Sequence, residues 1–146
     1  MTTPAVANSG ATYKALVTQG MQASIAARTR AGADLKSPIC VYALCEAHGV
    51  TVRFNDISME GMYDRSPKPR IHLSALRPLA RRAFTCAHEL GHHVFGHGST
   101  IDELRDDHAK NAERPPAEII ADAFGAFVLM PTLGLREAFA KRGLDP

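Results

Sequence analysis

Residues 84–98, FTCAHELGHHVFGHG, hold four histidines and one glutamate within fifteen positions. Within the stretch, His88, Glu89, Leu90, Gly91 and His92 spell H-E-x-x-H. On an α-helix four residues advance about 400°, which leaves the two histidines ~40° apart and ~6 Å along the axis. Two imidazoles so placed can converge on one ion, and neutral imidazole is a good zinc ligand. Glu89 projects beside them, where it could deprotonate a water at that ion. Seven histidines and seven glutamates in 146 residues give about 0.016 chance matches, so the motif is informative without being proof. The competing reading is a set of polar residues on the outer side of an amphipathic helix. Phe84, Leu90, Val94 and Phe95 weigh against it: they indicate a helix largely buried, and buried histidines need partners.

Two histidines do not complete a site, because a catalytic zinc takes three protein ligands and keeps one position open. His93 lies ~140° around the helix from His88 and points elsewhere. The three-histidine pattern H-E-x-x-H-x-x-G-x-x-H needs Gly at 95 and His at 98, where this chain has Phe95 and Gly98. His97 is therefore expected to cap the helix C-terminus or to lie exposed. A better third ligand lies downstream in EIIADAFGAFVLMP, residues 118–131. Glu118 and Asp122 stand i, i+4 on a predicted helix and share a face. Glu118 could bind the ion while Asp122 accepts a hydrogen bond from a liganding imidazole and fixes its tautomer. The alternative for Glu118 is an acid favoured near a helix N-terminus by the macrodipole. Asp102, Asp106, Asp107 and His108 compete less well, since they fall in a polar, solvent-facing segment.

Working outward, residues 12–30 carry Leu16, Val17, Met21 and Ile25 at helical spacing, which predicts an amphipathic helix. SPICVYALCEAHG reads as a second helix with Ser37 as N-cap, Pro38 at the first position and Gly49 as the stop. VTVRF, ISMEGMYDR and RIHLSA read as three strands of a small antiparallel or mixed sheet. Helix returns from Pro78 to Phe95, where Gly96 and Gly98 end it. A polar segment follows, read as loop with a short helix. Pro115 and Pro116 then open a helix to Leu129, and a last helix begins near Pro131 and stops at Gly143. The order helices, sheet, helices makes the chain α+β. Residues 1–11 are expected to be disordered and residues 12–146 to form a single minimal domain.

Composition is that of an ordinary globular chain, 45% apolar and 22% charged. A net charge of +2 is too small to imply nucleic-acid binding. The charge is uneven: eleven Lys/Arg against five Asp/Glu precede His88, and six against ten follow from there. A solvated face accounts for such a run, with a surface that steers an acidic partner as the alternative. The N-terminus has no apolar stretch flanked by basic residues, and no apolar run approaches the ~18 residues of a membrane span. Cys40, Cys45 and Cys86 form no CxxC pair and read as reduced, buried thiols in a cytoplasmic protein.

Three stretches together resemble the ImmA/IrrE family of zinc-dependent metallopeptidases. RRAFTCAHELGHHVFGH is similar to that family's active-site helix, EIIADAFGAFVLMP to its downstream signature, and GVTVRFNDISMEGMYDRSPKPRIHLS to the strands that precede the helix. The resemblance covers roughly residues 37–131. It implies a small zincin-like (gluzincin-like) domain with one zinc ion held by His88, His92 and Glu118, Glu89 as general base and Asp122 beside a ligand. Manganese could also occupy a His/His/Glu site. The chain departs from the family pattern at Gly125, Phe127 and Val128, which concern packing, and at Asp122, where asparagine is commoner. The resemblance further implies an endopeptidase acting on a protein, a helix-turn-helix repressor of stress-response or mobile-element genes. A zinc-containing module that binds the repressor without cutting it is the alternative. Tyr63 and His72, in the strands ahead of the helix, are candidate oxyanion donors. An edge strand at RIHLS could pair with the substrate backbone.

Overall fold

The computed structural model describes residues 12–102 and 114–144. The disorder expected for residues 1–11, most of the polar segment read as loop with a short helix, and Asp106, Asp107 and His108 lie outside them. Among the described residues five helices form: α1 (Tyr13–Arg30), α2 (Val41–Ala47), α3 (Leu79–Val94), α4 (Pro116–Leu129) and α5 (Thr132–Lys141). The strands are β1 (Thr51–Asn55), β2 (Gly61–Asp64), β3 (Arg70–Ser74) and β4 (Thr100–Asp102). The three expected strands are present in an α+β fold. A short fourth strand joins them where loop was expected. The sheet runs β1-β3-β2-β4, with β1 parallel to β3 and the other two pairs antiparallel. RIHLS, as β3, is thus an interior strand, and the edges are β1 and β4.

Alternation along β2 and β3 decides which face meets the helices. Tyr63, Ile71 and Leu73 are each at most 1% exposed and pack with Cys86, Ala87 and Leu90 of α3. A Cβ on Gly61 would come 2.7 Å from Thr85 of α3, which marks the same face. Met62 and His72 take the opposite one. Phe124 and Val128 of α4 and Leu44 and Cys45 of α2 close the core around α3. Burying a side chain such as Phe124 fully stabilises by about 1.5–3 kcal/mol.

Glycines set how close α4 lies to its neighbours. A Cβ on Gly91 of α3 would meet Ala121 Cα at 3.1 Å, and one on Gly125 of α4 would meet His88 N at 3.2 Å. At the other crossing, a Cβ on Gly20 of α1 would lie 2.7 Å from Ala123 Cβ and 2.8 Å from the Ile120 carbonyl. The face that α1 buries is accordingly Leu16, Gly20, Ser24, Ala27 and Arg28. The expected stripe through Val17, Met21 and Ile25 flanks that face, and Ile25 is 43% exposed.

Arg28 is 1% exposed and staples three segments. Its Nε donates to the Val128 carbonyl at 2.9 Å, and its Nη1 to the Asp34 and Ser37 carbonyls at 2.8 and 2.9 Å. The Asp34 carboxylate in turn accepts the backbone N–H groups of Lys36 and Ser37. This turn corrects the start expected for α2. Ser37 is held by Asp34 and Arg28, so the helix begins three residues later with Cys40 as its N-cap, and Cys40 is exposed where a buried thiol was expected. Gly49 (φ +74°) and Gly96 (φ +68°) stop α2 and α3 in the left-handed conformation that costs glycine little.

Candidate metal centre

His88, Glu89 and His92 occupy the buried middle of α3, at 2%, 0% and 1% exposure. Their placement follows from the helical period together with the sheet on one side of α3 and α4 on another. α4 brings Glu118 in its first turn and Asp122 one turn later. His88, His92 and Glu118 offer one ligand atom each within 4.8 Å of one another. His88 Nε2 lies 3.1 Å from His92 Nε2. The Glu118 oxygens lie 3.2 Å from each ring nitrogen.

These separations fit a metal ion. Zinc–ligand bonds of about 2.0–2.2 Å at tetrahedral angles put neighbouring donors about 3.3 Å apart. The chemistry of the donors points the same way. His88 Nδ1 lies 2.7 Å from Asp122 Oδ1, so a neutral His88 whose Nδ1–H donates a hydrogen bond to this carboxylate turns the Nε2 lone pair toward Glu118. Lone pairs from two rings and a carboxylate facing one point call for a cation there. For Asp122 burial alone would raise the pKa, but the bonds with His88 and Arg114 outweigh it and keep the carboxyl ionised. Arg114 also pairs directly with the second Asp122 oxygen.

His97 departs from its expected role as a cap or exposed residue. It is half-buried, with its Nδ1 2.8 Å from His92 Nδ1, so each histidine of the pair has a partner on the side away from the cluster. Burial, the largest cause, lowers the His97 pKa and favours a neutral ring whose Nδ1 can accept a hydrogen bond from the His92 Nδ1–H. Glu89 Oε2 accepts a hydrogen bond from the Thr100 hydroxyl of β4 at 2.7 Å. Sequence reasoning missed Thr100 and Arg114 altogether. No motif marks either one, and both contacts depend on packing between segments.

The two candidate oxyanion donors are placed elsewhere. Tyr63 lies on the α3 side of β2, but its hydroxyl is bonded to His93 Nδ1 at 2.8 Å, on a different side of α3 from His88. His72 lies on the sheet face opposite α3, with Nδ1 3.3 Å from Asn55 Oδ1. Pairing within the sheet puts His72 on the face away from α3, while Tyr63 stays on the α3 side with its hydroxyl held by His93. Cys86 packs against Cys45, their sulfurs 3.5 Å apart; that contact, then burial, raises the Cys86 pKa and leaves the thiol protonated. Among the described residues no single helix is long and apolar enough to cross a membrane.

No curated protein matches the chain. Residues 45–145 match the model of peptidase family M78, described as the IrrE N-terminal-like domain, and that span includes both the α3 histidines and the α4 carboxylates. By that match the chain belongs to the ImmA/IrrE family of metallopeptidases, with the metallopeptidase-type function and protein substrate the family implies.

Proposed function

We propose that the chain is a zinc-dependent endopeptidase in which His88, His92 and Glu118 hold the ion and Glu89 is the general base. One observation carries the reading: three ligand atoms from two helices converge within 4.8 Å on α3, directly beside a buried glutamate. The chemistry that zinc supplies when bound there is acidification of a water and polarisation of the scissile carbonyl. Glu89 takes the proton from the attacking water and passes it to the leaving amine. The Thr100 hydroxyl orients the Glu89 carboxylate for that transfer. Asp122 and His97 hold the two imidazoles in the tautomer that directs each Nε2 lone pair inward. Burial of the site strengthens each of these polar contacts. β4 is the sheet edge next to Glu89 and is where an extended substrate backbone would add.

The substrate proposed is a helix-turn-helix repressor, whose cleavage in the cytoplasm would release stress-response or mobile-element genes. Glu89→Gln tests the chemistry. It should retain zinc, read by metal analysis, and lose cleavage of a co-expressed repressor by at least about a hundredfold. Undiminished fragments on a gel would remove Glu89 from the mechanism. A wild-type protein that binds the repressor stably and leaves it whole would make the chain a sequestering module.

A further inference from the structure

Away from the metal centre, α1, α4 and α5 surround a pocket of about 150 Å³. Its apolar walls are Met21 and Ile25 of α1, Phe127 of α4, Leu133 of α5, and Leu35 in the turn that follows α1. Phe127 stands nine residues after Glu118, about 13 Å along α4, so the pocket is separate from the ligand cluster. Arg28, 1% exposed, is the charged group among the described residues that line it. We propose that this pocket binds a small carboxylate with an apolar body of roughly six carbons, its carboxylate drawn to Arg28 and to the first turn of α5.

Arg28 supplies the first argument. Its Nε and Nη1 are engaged by the carbonyls of Val128, Asp34 and Ser37. Its Nη2 is buried and has no hydrogen-bond partner among the described residues. The three acceptors are neutral, and the Asp34 carboxylate is turned to the N–H groups of Lys36 and Ser37. A guanidinium taken out of water with a donor left over and no carboxylate bonded to it calls for an anion.

The start of α5 is independent of Arg28 and points the same way. Thr132, its first residue, lines the pocket, and no side chain caps the helix. The N–H groups of an uncapped first turn and the positive end of the helix dipole attract an anion. Gly134 seats that turn against the backbone of Lys36, where a Cβ would collide with the carbonyl, so α5 and the 34–37 turn meet beside the pocket. The remaining walls select an apolar body. Ile25 is 43% and Leu133 49% exposed, which leaves an apolar rim open to an entering molecule. A cavity of about 150 Å³ suffices for benzene, so there is room for one ring or a short chain.

The test uses the full-length, zinc-loaded, ¹⁵N-labelled protein and three probes with the same apolar body: hexanoate, hexanol and hexylammonium. Hexanoate should bind at least about tenfold more tightly than hexanol, and hexylammonium should bind more weakly than either. Its saturation should shift the Arg28 Nε–H and the Leu133 and Gly134 amide signals. Arg28→Met should make hexanoate and hexanol equal; if that variant does not fold, the comparison of probes on the wild type still decides. Ile25→Trp and Leu133→Trp, which narrow the pocket from two helices, should each weaken hexanoate severalfold, and unchanged affinity in both would place the site elsewhere. Equal binding of hexanoate and hexanol by the wild type would overturn the anion site. Failure of both to bind would overturn the pocket altogether. Hexanoate shifts confined to α3 and the first turn of α4, and lost in Glu118→Ala, would assign the carboxylate to the metal centre and equally overturn the proposal, while leaving the peptidase reading intact.

Discussion

His97 illustrates what a single residue can hide. Its spacing fails the three-histidine pattern, and its place at the helix C-terminus suggests a cap or an exposed residue. Gly96 changes the outcome: its left-handed conformation ends α3 and turns the chain so that His97 Nδ1 sits 2.8 Å from His92 Nδ1. If His97 orients His92 for the ion, His97→Ala should weaken zinc binding about 10- to 100-fold in competition with a chromophoric chelator. His97→Gln, which keeps an acceptor, should recover part of the loss. Unaltered affinity in both variants would make the contact incidental. For Tyr63 and His72 the sequence identified suitable side chains but not their directions. Strand pairing decided those, giving the Tyr63 hydroxyl to His93 and putting His72 on the face away from α3.

Among the elements, α1 departs most from its reading. A search for apolar residues at helical spacing selects Val17, Met21 and Ile25, whereas the buried line passes through Gly20 and Ser24. Small residues give little hydrophobic signal, yet only they allow the close crossing with α4. Gly20→Ala measures what the crossing requires. Alanine favours a helix over glycine by about 1 kcal/mol. The added methyl group would meet Ala123 Cβ at 2.7 Å and backbone atoms of Ile120 and Phe124 at 2.8 and 2.9 Å, so α4 itself would have to move. Overpacking should prevail, with a net loss of about 1–3 kcal/mol read from a lower urea midpoint at unchanged slope. A gain in stability would show that the two helices can separate freely. The start of α2 was misplaced for a related reason: a local cap signal at Ser37 gave way to a turn anchored from α1 by Arg28.

For the whole molecule, the ligand cluster is a link between α3 and α4, helices that a polar segment separates in the chain. A ligand that binds only the folded state stabilises it by about 2.7 kcal/mol at a hundred times its Kd. For a domain of this size, zinc at that excess should raise Tm by about 5–10 °C, and a chelator should reverse the rise. Glu118→Ala should abolish most of the shift in calorimetry. A variant with the full wild-type shift would mean that α4 contributes no ligand.

The sequence alone determined what depends on local periodicity. It put His88, Glu89 and His92 on adjacent positions of one helix, and Glu118 and Asp122 on one face of another. It also supplied the glycines that stop α2 and α3 and the α+β order of elements. These follow from 3.6 residues per turn and from backbone preferences that act over a few positions. Only the tertiary structure decided what depends on distance between segments: the 3.2 Å approach of Glu118 to both imidazoles, Thr100 on Glu89, and the interior place of β3. The first comes from packing α4 on α3 through Gly91 and Gly125, where the informative residue is one with no side chain to read, and the other two come from pairing between strands distant in the chain.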